Sequence, residues 1–175
     1  MSVADWSVSR WYNSEPLSLP ALHGSVVMIH AFQMLCPGCV LRGTPQAQRV
    51  HELFRGSRLR VIGLHTVFEH HTAMRPESLQ AFLHEFKITF PVGVDEAGTG
   101  DLPQTMARFG LRGTPSTLLI DAQGNVRHRS IGGHEDLLLG AEIAALLAEA
   151  RYEIHASSSP LHGYDDEAIC RVPIG

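Results

Sequence analysis

Two cysteines that directly follow a short apolar run constrain the fold of this chain more than any other feature of its sequence. The run extends from Val26 to Phe32, is rich in β-branched residues and follows a glycine, a pattern typical of a buried strand. Cys36 and Cys39, with proline and glycine between them, come within four residues of its end. Apolar residues at helical spacing then predict a helix to about Phe54, kinked or restarted at the Gly-Thr-Pro sequence 43–45. The cysteine pair is therefore expected in the turn from a buried strand into a helix.

The rest of the chain alternates strand and helix patterns and ends in a polar tail. We predict further strands over 58–68, 90–95, 117–121 and 126–131, and helices over 77–86, 102–109 and 135–150. A helix between the first two strands indicates a parallel pair, and a glycine-containing turn at 122–125 indicates an antiparallel hairpin. The order predicts an α/β fold with a mixed central sheet and helices on both faces. We divide the chain into an N-terminal extension, 1–24, a domain, 25–150, and a C-terminal tail, 151–175.

Composition and charge exclude several classes of partner. The formal net charge is -4, from 14 basic and 18 acidic residues, so we expect neither nucleic acid nor an anionic membrane surface as a partner. No apolar run approaches the roughly 18 residues of a membrane span. The first residues lack the basic start and apolar run of a secretory signal, so we expect a cytoplasmic protein. In that compartment three cysteines are better explained by redox, metal-binding or core roles than by a disulfide framework.

The position of the cysteine pair favours redox chemistry. A sulfur at a helix N-terminus faces unpaired N–H groups and the positive end of the helix dipole, which favour the thiolate, so Cys36 is the expected nucleophile. Cys39 is within bridging distance one turn later and is the expected resolving thiol. The alternatives are half of a zinc site or two structural core cysteines. Zinc would need two more ligands, for which only Cys170 and scattered histidines are available, so we expect no metal.

The segments 27–39 and 112–121 together resemble the thioredoxin superfamily, in particular its TlpA-like disulfide reductases and AhpC/TSA (redoxin) proteins. The resemblance covers about 17–150 and implies a thioredoxin-like three-layer sandwich. It implies that the Thr114–Pro115 bond is cis and that both residues face the redox cysteines and contact substrate. It also implies a thiol–disulfide oxidoreductase that acts on a disulfide-containing protein or small molecule. Such a protein needs no cofactor, but an electron donor must recycle it.

Several positions depart from the pattern of the family. Leu35 stands where a tryptophan is common, and Pro-Gly between the cysteines leaves the direction of the reaction open. His30 replaces a buried acid, so it is either a proton acceptor for Cys39 or a packed core histidine. Arg42 replaces a glutamate; if it points inward it would stabilise a thiolate, and otherwise it is an exposed arginine.

Two rival functions stay open at this point. A thiol peroxidase of the usual kind would have threonine three positions, and proline seven positions, before its reactive cysteine. Gln33 and Ile29 occupy those places, although a reactive thiolate still consumes some peroxide. The other rival is a non-catalytic redox or metal-binding module that keeps the fold for partner recognition.

Two further features have no assigned role. His65 and Glu69, followed by two more histidines, lie at the carboxyl end of the second predicted strand, where ligands of α/β sheets bind. They are interpreted as a polar active-site rim, with a solvated loop or a metal site as alternatives. Cys170 in the tail is either a third redox thiol, a link between chains or an incidental cysteine.

Overall fold

The computed structural model describes residues 5–158, with side chains described as far as Arg151. Its strands and α-helices follow the predicted order, with one additional strand near the N-terminus. The strands are β1 (Val8–Tyr12), β2 (Val26–Phe32), β3 (Leu59–His65), β4 (Val92–Asp95), β5 (Ser116–Ile120) and β6 (Val126–Ile131). The helices are α1 (Thr44–Leu53), α2 (Pro76–Glu85), α3 (Gln104–Arg108) and α4 (Asp136–Ser158).

The strands form one mixed six-stranded sheet in the order β1-β4-β3-β2-β5-β6. The β2–β3 pair is parallel, with Val26 opposite Leu59 and Phe32 opposite His65. The β3–β4 pair is also parallel, whereas β1, β5 and β6 each run antiparallel to their neighbours. The mixed sheet confirms the predicted α/β fold. All seven residues of β2 are buried, as is typical of a strand covered on both faces.

Each face of the sheet has its own core because alternate residues of β2 point in opposite directions. Met28 and Phe32 pack with the helices α1, α2 and α4 on one face. Ile29 and Ala31 pack with α3 on the other face. Burial of these large side chains stabilises the domain by about 25 cal/mol for each Å² removed from water. The cysteine pair therefore follows a strand that is buried along its whole length.

A single turn of π-helix, Cys39–Gly43, separates the cysteine pair from α1. The Thr44 N–H donates to the carbonyl of Cys39, and Pro45 lies in the first turn of α1, where its missing N–H costs nothing. The restart predicted at 43–45 is thus observed. As a result, the backbone of Gly43 lies directly beneath the segment that contains Cys36 and Cys39, called the redox loop below.

The two ends of the domain extend beyond the boundaries that the sequence suggested. The N-terminal extension supplies β1, which covers the edge of β4, and the Trp6 Nε1–H donates to the Leu17 carbonyl at 2.7 Å. Helix α4 continues past Ala150 to Ser158. The rest of the predicted tail, with Cys170, lies outside the described residues. Between residues 5 and 158, no helix is both long and apolar enough to cross a membrane.

Candidate active site

The Cys36 sulfur lies at the carboxyl end of β2, half-buried and in contact with two backbone groups. It accepts a hydrogen bond from the Cys39 N–H at 3.3 Å, and its thiol donates to the Thr114 carbonyl at 3.4 Å. The Cys36 N–H in turn donates to the carbonyl of Gln33 at 3.3 Å. A half-buried sulfur just beyond the end of a strand can still be reached by a disulfide from solution. The geometry therefore suits Cys36 to nucleophilic attack.

Cys39 is fully buried, and both cysteines are free thiols. Burial raises the pKa of the Cys39 thiol to about 12, and its hydrogen bond with Cys36 acts in the same direction. A neutral, inaccessible thiol cannot start an exchange with a molecule in solution. The two cysteines are thus chemically unequal, as the predicted division into nucleophile and resolving thiol requires.

The Thr114–Pro115 peptide bond is cis, and the proline ring packs on the redox loop. A Cβ at Gly38 would lie 3.1 Å from Pro115 Cδ, and a Cβ at Gly43 would lie 2.8 Å from Pro115 Cβ. The latter distance is shorter than real Cβ contacts, so only glycine fits at position 43 without a shift. The structure thus brings the two predicted substrate-binding residues against the cysteine loop.

His30 is buried and packed beneath the same loop. Its Nε2 is 3.1 Å from Thr44 Oγ1, its ring stacks on Phe32 at 5.3 Å, and its Nδ1 has no partner among the described residues. Burial lowers the pKa of His30 to about 4. A base this weak is a poor acceptor for the Cys39 proton, which is held with a pKa of about 12. The structure therefore favours the packed core histidine over the predicted proton acceptor.

Arg42, another predicted site residue, lies away from the cysteine pair. Arg42 is exposed, and its Nη1 lies beside Gly133, 3.5 Å from the position that a Cβ on that residue would take. No hydrogen bond or ion pair joins Arg42 to either described cysteine. Of the two alternatives given for Arg42, the structure shows the exposed arginine, because position 42 falls on the solvent side of the π-helical turn.

His65 does not belong to a rim. It is only 1% exposed, because β3 continues through this residue and pairs it with Phe32 and Val94. Its ring lies 5.4 Å from that of Phe32, and neither ring nitrogen has a hydrogen-bond partner in the described part of the chain. Burial lowers the pKa of His65 to about 4. Glu69, four residues later, is exposed at this edge of the sheet.

Gln33 is a site residue that the sequence reasoning treated only as a mismatch with the peroxidase pattern. It is 1% exposed, and its Nε2 donates to Glu69 Oε1 at 3.2 Å and to Thr114 Oγ1 at 3.4 Å. Its Oε1 accepts from the Phe68 N–H at 3.2 Å. The sequence feature that could have pointed to Gln33 is its position as a polar side chain between a buried strand and the cysteines.

Across residues 5–158, no three His, Cys, Asp or Glu side chains are grouped so that they could hold a metal.

The chain is similar to one protein family and to several proteins of known structure. The model of the AhpC/TSA family matches residues 2–129. A thioredoxin-like superfamily protein of known crystal structure is 55% identical, with a TM-score of 0.82, over 84% of this chain and 96% of that one. A thiol-disulfide isomerase from Corynebacterium glutamicum is 46% identical, with a TM-score of 0.80, over 83% of this chain and 96% of that one.

A curated relative is more distant. Protein DipZ of Mycobacterium bovis is 27% identical over 147 residues, which are 82% of this chain and 20% of that protein. Protein DipZ of Mycobacterium tuberculosis matches equally well. The chain thus spans about a fifth of the length of the curated relatives it matches.

Proposed function

The chain belongs to the AhpC/TSA family and has a thioredoxin-like fold, and from this premise we propose that it reduces or exchanges disulfides through Cys36 and Cys39. The observation that carries the proposal is the inequality of the two thiols. The Cys36 sulfur is partly accessible and receives the Cys39 N–H, whereas Cys39 is buried with a raised pKa. Disulfide exchange in two steps needs one thiol of each kind.

In the first step the Cys36 thiolate attacks one sulfur of the substrate disulfide. A bond forms between the Cys36 sulfur and that atom, the substrate S–S bond breaks, and the second substrate sulfur leaves as a thiolate. In the next step Cys39 passes its proton through solvent to the thiolate released in the first step and attacks the Cys36 sulfur; the Cys36–Cys39 bond forms, and the first substrate sulfur leaves as a thiolate that takes a proton from water. The protein dithiol is oxidised by two electrons, the substrate becomes two thiols, and an electron donor must restore the dithiol.

Thr114 and Pro115 are proposed to receive the substrate. The Thr114 carbonyl accepts from the Cys36 thiol, so the backbone of this residue already faces the reacting atom. Pro115 has no N–H and packs its ring against Gly38 and Gly43, which fixes the loop relative to the sulfur. A loop held in this way keeps a bound disulfide within attacking distance.

A thiol peroxidase has weaker support. The Gln33 side chain, at the position where peroxidases carry threonine, bonds to Phe68, Glu69 and Thr114 and leaves no donor for the Cys36 sulfur. A peroxide bound at Cys36 would therefore lack that donor. We expect slow peroxide consumption beside efficient disulfide reduction.

The proposal is tested by insulin reduction, with hydroperoxide consumption measured in parallel. We expect wild type to reduce insulin, and Cys36→Ser and Cys39→Ser to lose turnover. Cys170→Ser removes the third cysteine of the chain, and a reaction carried by Cys36 and Cys39 alone predicts that this variant keeps its turnover. Fast peroxide turnover without insulin reduction would favour the peroxidase. Inactivity in both assays, together with bound zinc by elemental analysis, would favour the non-catalytic module.

A further inference from the structure

One buried amide connects a surface carboxylate to the redox centre. Gln33 Nε2 donates to Glu69 Oε1 at 3.2 Å and to Thr114 Oγ1 at 3.4 Å. Thr114 is the residue whose carbonyl accepts from the Cys36 thiol at 3.4 Å. The carboxylate of Glu69 is therefore two side-chain hydrogen bonds from a residue that contacts the nucleophile.

The orientation of the Gln33 amide is fixed by its partners. Its oxygen accepts the Phe68 N–H, so both of its N–H bonds must face Glu69 and Thr114. The side chain is 1% exposed, and a buried amide that loses a partner pays the desolvation cost of that group. Gln33 thus orients the carboxylate of Glu69 by one hydrogen bond, although Glu69 is an exposed side chain.

The negative charge of Glu69 is not neutralised by a neighbour in the described part of the chain. Glu69 is exposed and takes part in no ion pair with a lysine or arginine side chain of the described residues. Only Oε1 accepts the Gln33 bond, which leaves Oε2 free to face solvent. A fixed carboxylate beside a reaction centre attracts cations and repels anions there.

We propose that Glu69, positioned by Gln33, is a specificity-determining residue that favours disulfides with a positive charge beside the attacked sulfur and disfavours anionic ones. The inference rests on the proposed function, because it concerns the substrate of the same site. A disulfide that binds against Thr114, as proposed above, brings the group attached to its sulfur to the side where Gln33 joins Thr114 to the Glu69 carboxylate. The exchange is the two-electron reaction given above, in which two substrate thiols leave and the Cys36–Cys39 disulfide forms.

The test uses three small disulfides of similar size: cystamine, which is cationic, 3,3′-dithiodipropionate, which is anionic, and neutral 2-hydroxyethyl disulfide. The second-order rate constant of the reduced protein with each is measured by acid quench and thiol counting. The constants for the charged disulfides are divided by that for the neutral one. We expect Glu69→Gln to lower the ratio of cystamine to dithiodipropionate by about fivefold, as the loss of one nearby charge predicts.

Two further measurements separate positioning from a general effect. Gln33→Met keeps the side-chain volume but frees Glu69, and we expect it to lower the same ratio, in addition to any loss common to all three disulfides. Glu52→Gln removes the same charge from the far end of α1, where Glu52 is also exposed, and we expect an unchanged ratio. About 0.5 M salt should reduce the ratio in wild type, because exposed charges are screened.

The outcomes are distinguishable. A ratio that stays within about twofold of wild type in Glu69→Gln, or that falls equally in Glu52→Gln, overturns the inference and leaves the proposed function intact. If wild type reduces none of the three disulfides, the proposed function itself fails.

Discussion

Replacing Gly43 with alanine tests whether the redox loop is held by close packing beneath it. The backbone of Gly43 has φ -62° and ψ -50°, values that alanine adopts without strain, so only the added methyl group matters. That Cβ would lie 2.7 Å from His30 Cε1 and 2.8 Å from Pro115 Cβ. Both neighbours are rings, which cannot move aside as the end of a flexible side chain can.

The magnitude follows from these distances. Carbon atoms in contact prefer about 3.5–4.0 Å, so the neighbours must move by about 1 Å. Overpacking of this kind costs about 1–3 kcal/mol, and the usual gain of about 0.5–1 kcal/mol from glycine to alanine opposes it. We therefore expect Gly43→Ala to lower the free energy of unfolding by up to about 2.5 kcal/mol. Because the shift falls on Pro115, we also expect insulin reduction to fall by about tenfold or more.

Urea unfolding followed by circular dichroism, together with the insulin assay, measures both effects. Gly140→Ala is the matched control: it lies in α4, a Cβ there meets nothing within 4 Å, and alanine should raise the free energy of unfolding by about 0.5–1 kcal/mol. Opposite signs in the two variants are the expected result. A Gly43→Ala protein as stable and as active as wild type would refute the reasoning.

Two further predictions concern stability. Burial lowers the pKa of both His30 and His65 to about 4. As the pH falls, the unfolded chain therefore binds protons at these histidines before the folded protein does. The free energy of unfolding is fully present above about pH 6.5 and falls towards pH 4, by up to about 3 kcal/mol for each histidine. Urea unfolding midpoints measured at a series of pH values test this loss. If the double variant His30→Gln, His65→Gln loses stability between pH 6.5 and pH 4 as steeply as wild type, the prediction is contradicted. The Asp95 carboxylate accepts from the N–H groups of Thr105 and Met106, in the first turn of α3, at 2.8 and 2.9 Å. We therefore expect Asp95→Ala to lower the free energy of unfolding by about 2–3 kcal/mol in urea. A loss below about 0.5 kcal/mol would contradict this role of Asp95.

The elements that the sequence predicted best are those whose signal is local. The buried strand β2 follows from a mostly apolar run, and the restart before α1 follows from a proline; both signals act within a few residues. Strand β1 had no such signal, because it is an edge strand that is ordered by pairing with β4. The cytoplasmic location expected from the sequence stays a prediction.

The site was predicted in part for a similar reason. The cysteines and Thr114–Pro115 are recognisable from their motifs, which come together because both lie at the ends of neighbouring strands, β2 and β5. The role of Gln33 depends on partners 35 and 81 residues away, and no pattern in one sequence fixes such contacts. His65 was misplaced because a position near the carboxyl end of a strand does not fix exposure: its ring packs beside Phe32 and is 1% exposed, a contact between neighbouring strands that the local sequence does not show.

The most direct test of the central claim identifies which sulfur a disulfide reagent attacks. Cys39→Ser and Cys36→Ser, each also carrying Cys170→Ser, are treated with one equivalent of 2-hydroxyethyl disulfide and mapped by peptide mass spectrometry. We expect a lasting mixed disulfide on Cys36 in the first protein and almost none on Cys39 in the second, because Cys39 is buried. With both thiols present, the adduct should resolve to a Cys36–Cys39 disulfide. A stable adduct on Cys39, or an adduct on Cys36 that Cys39 does not release, would contradict the account.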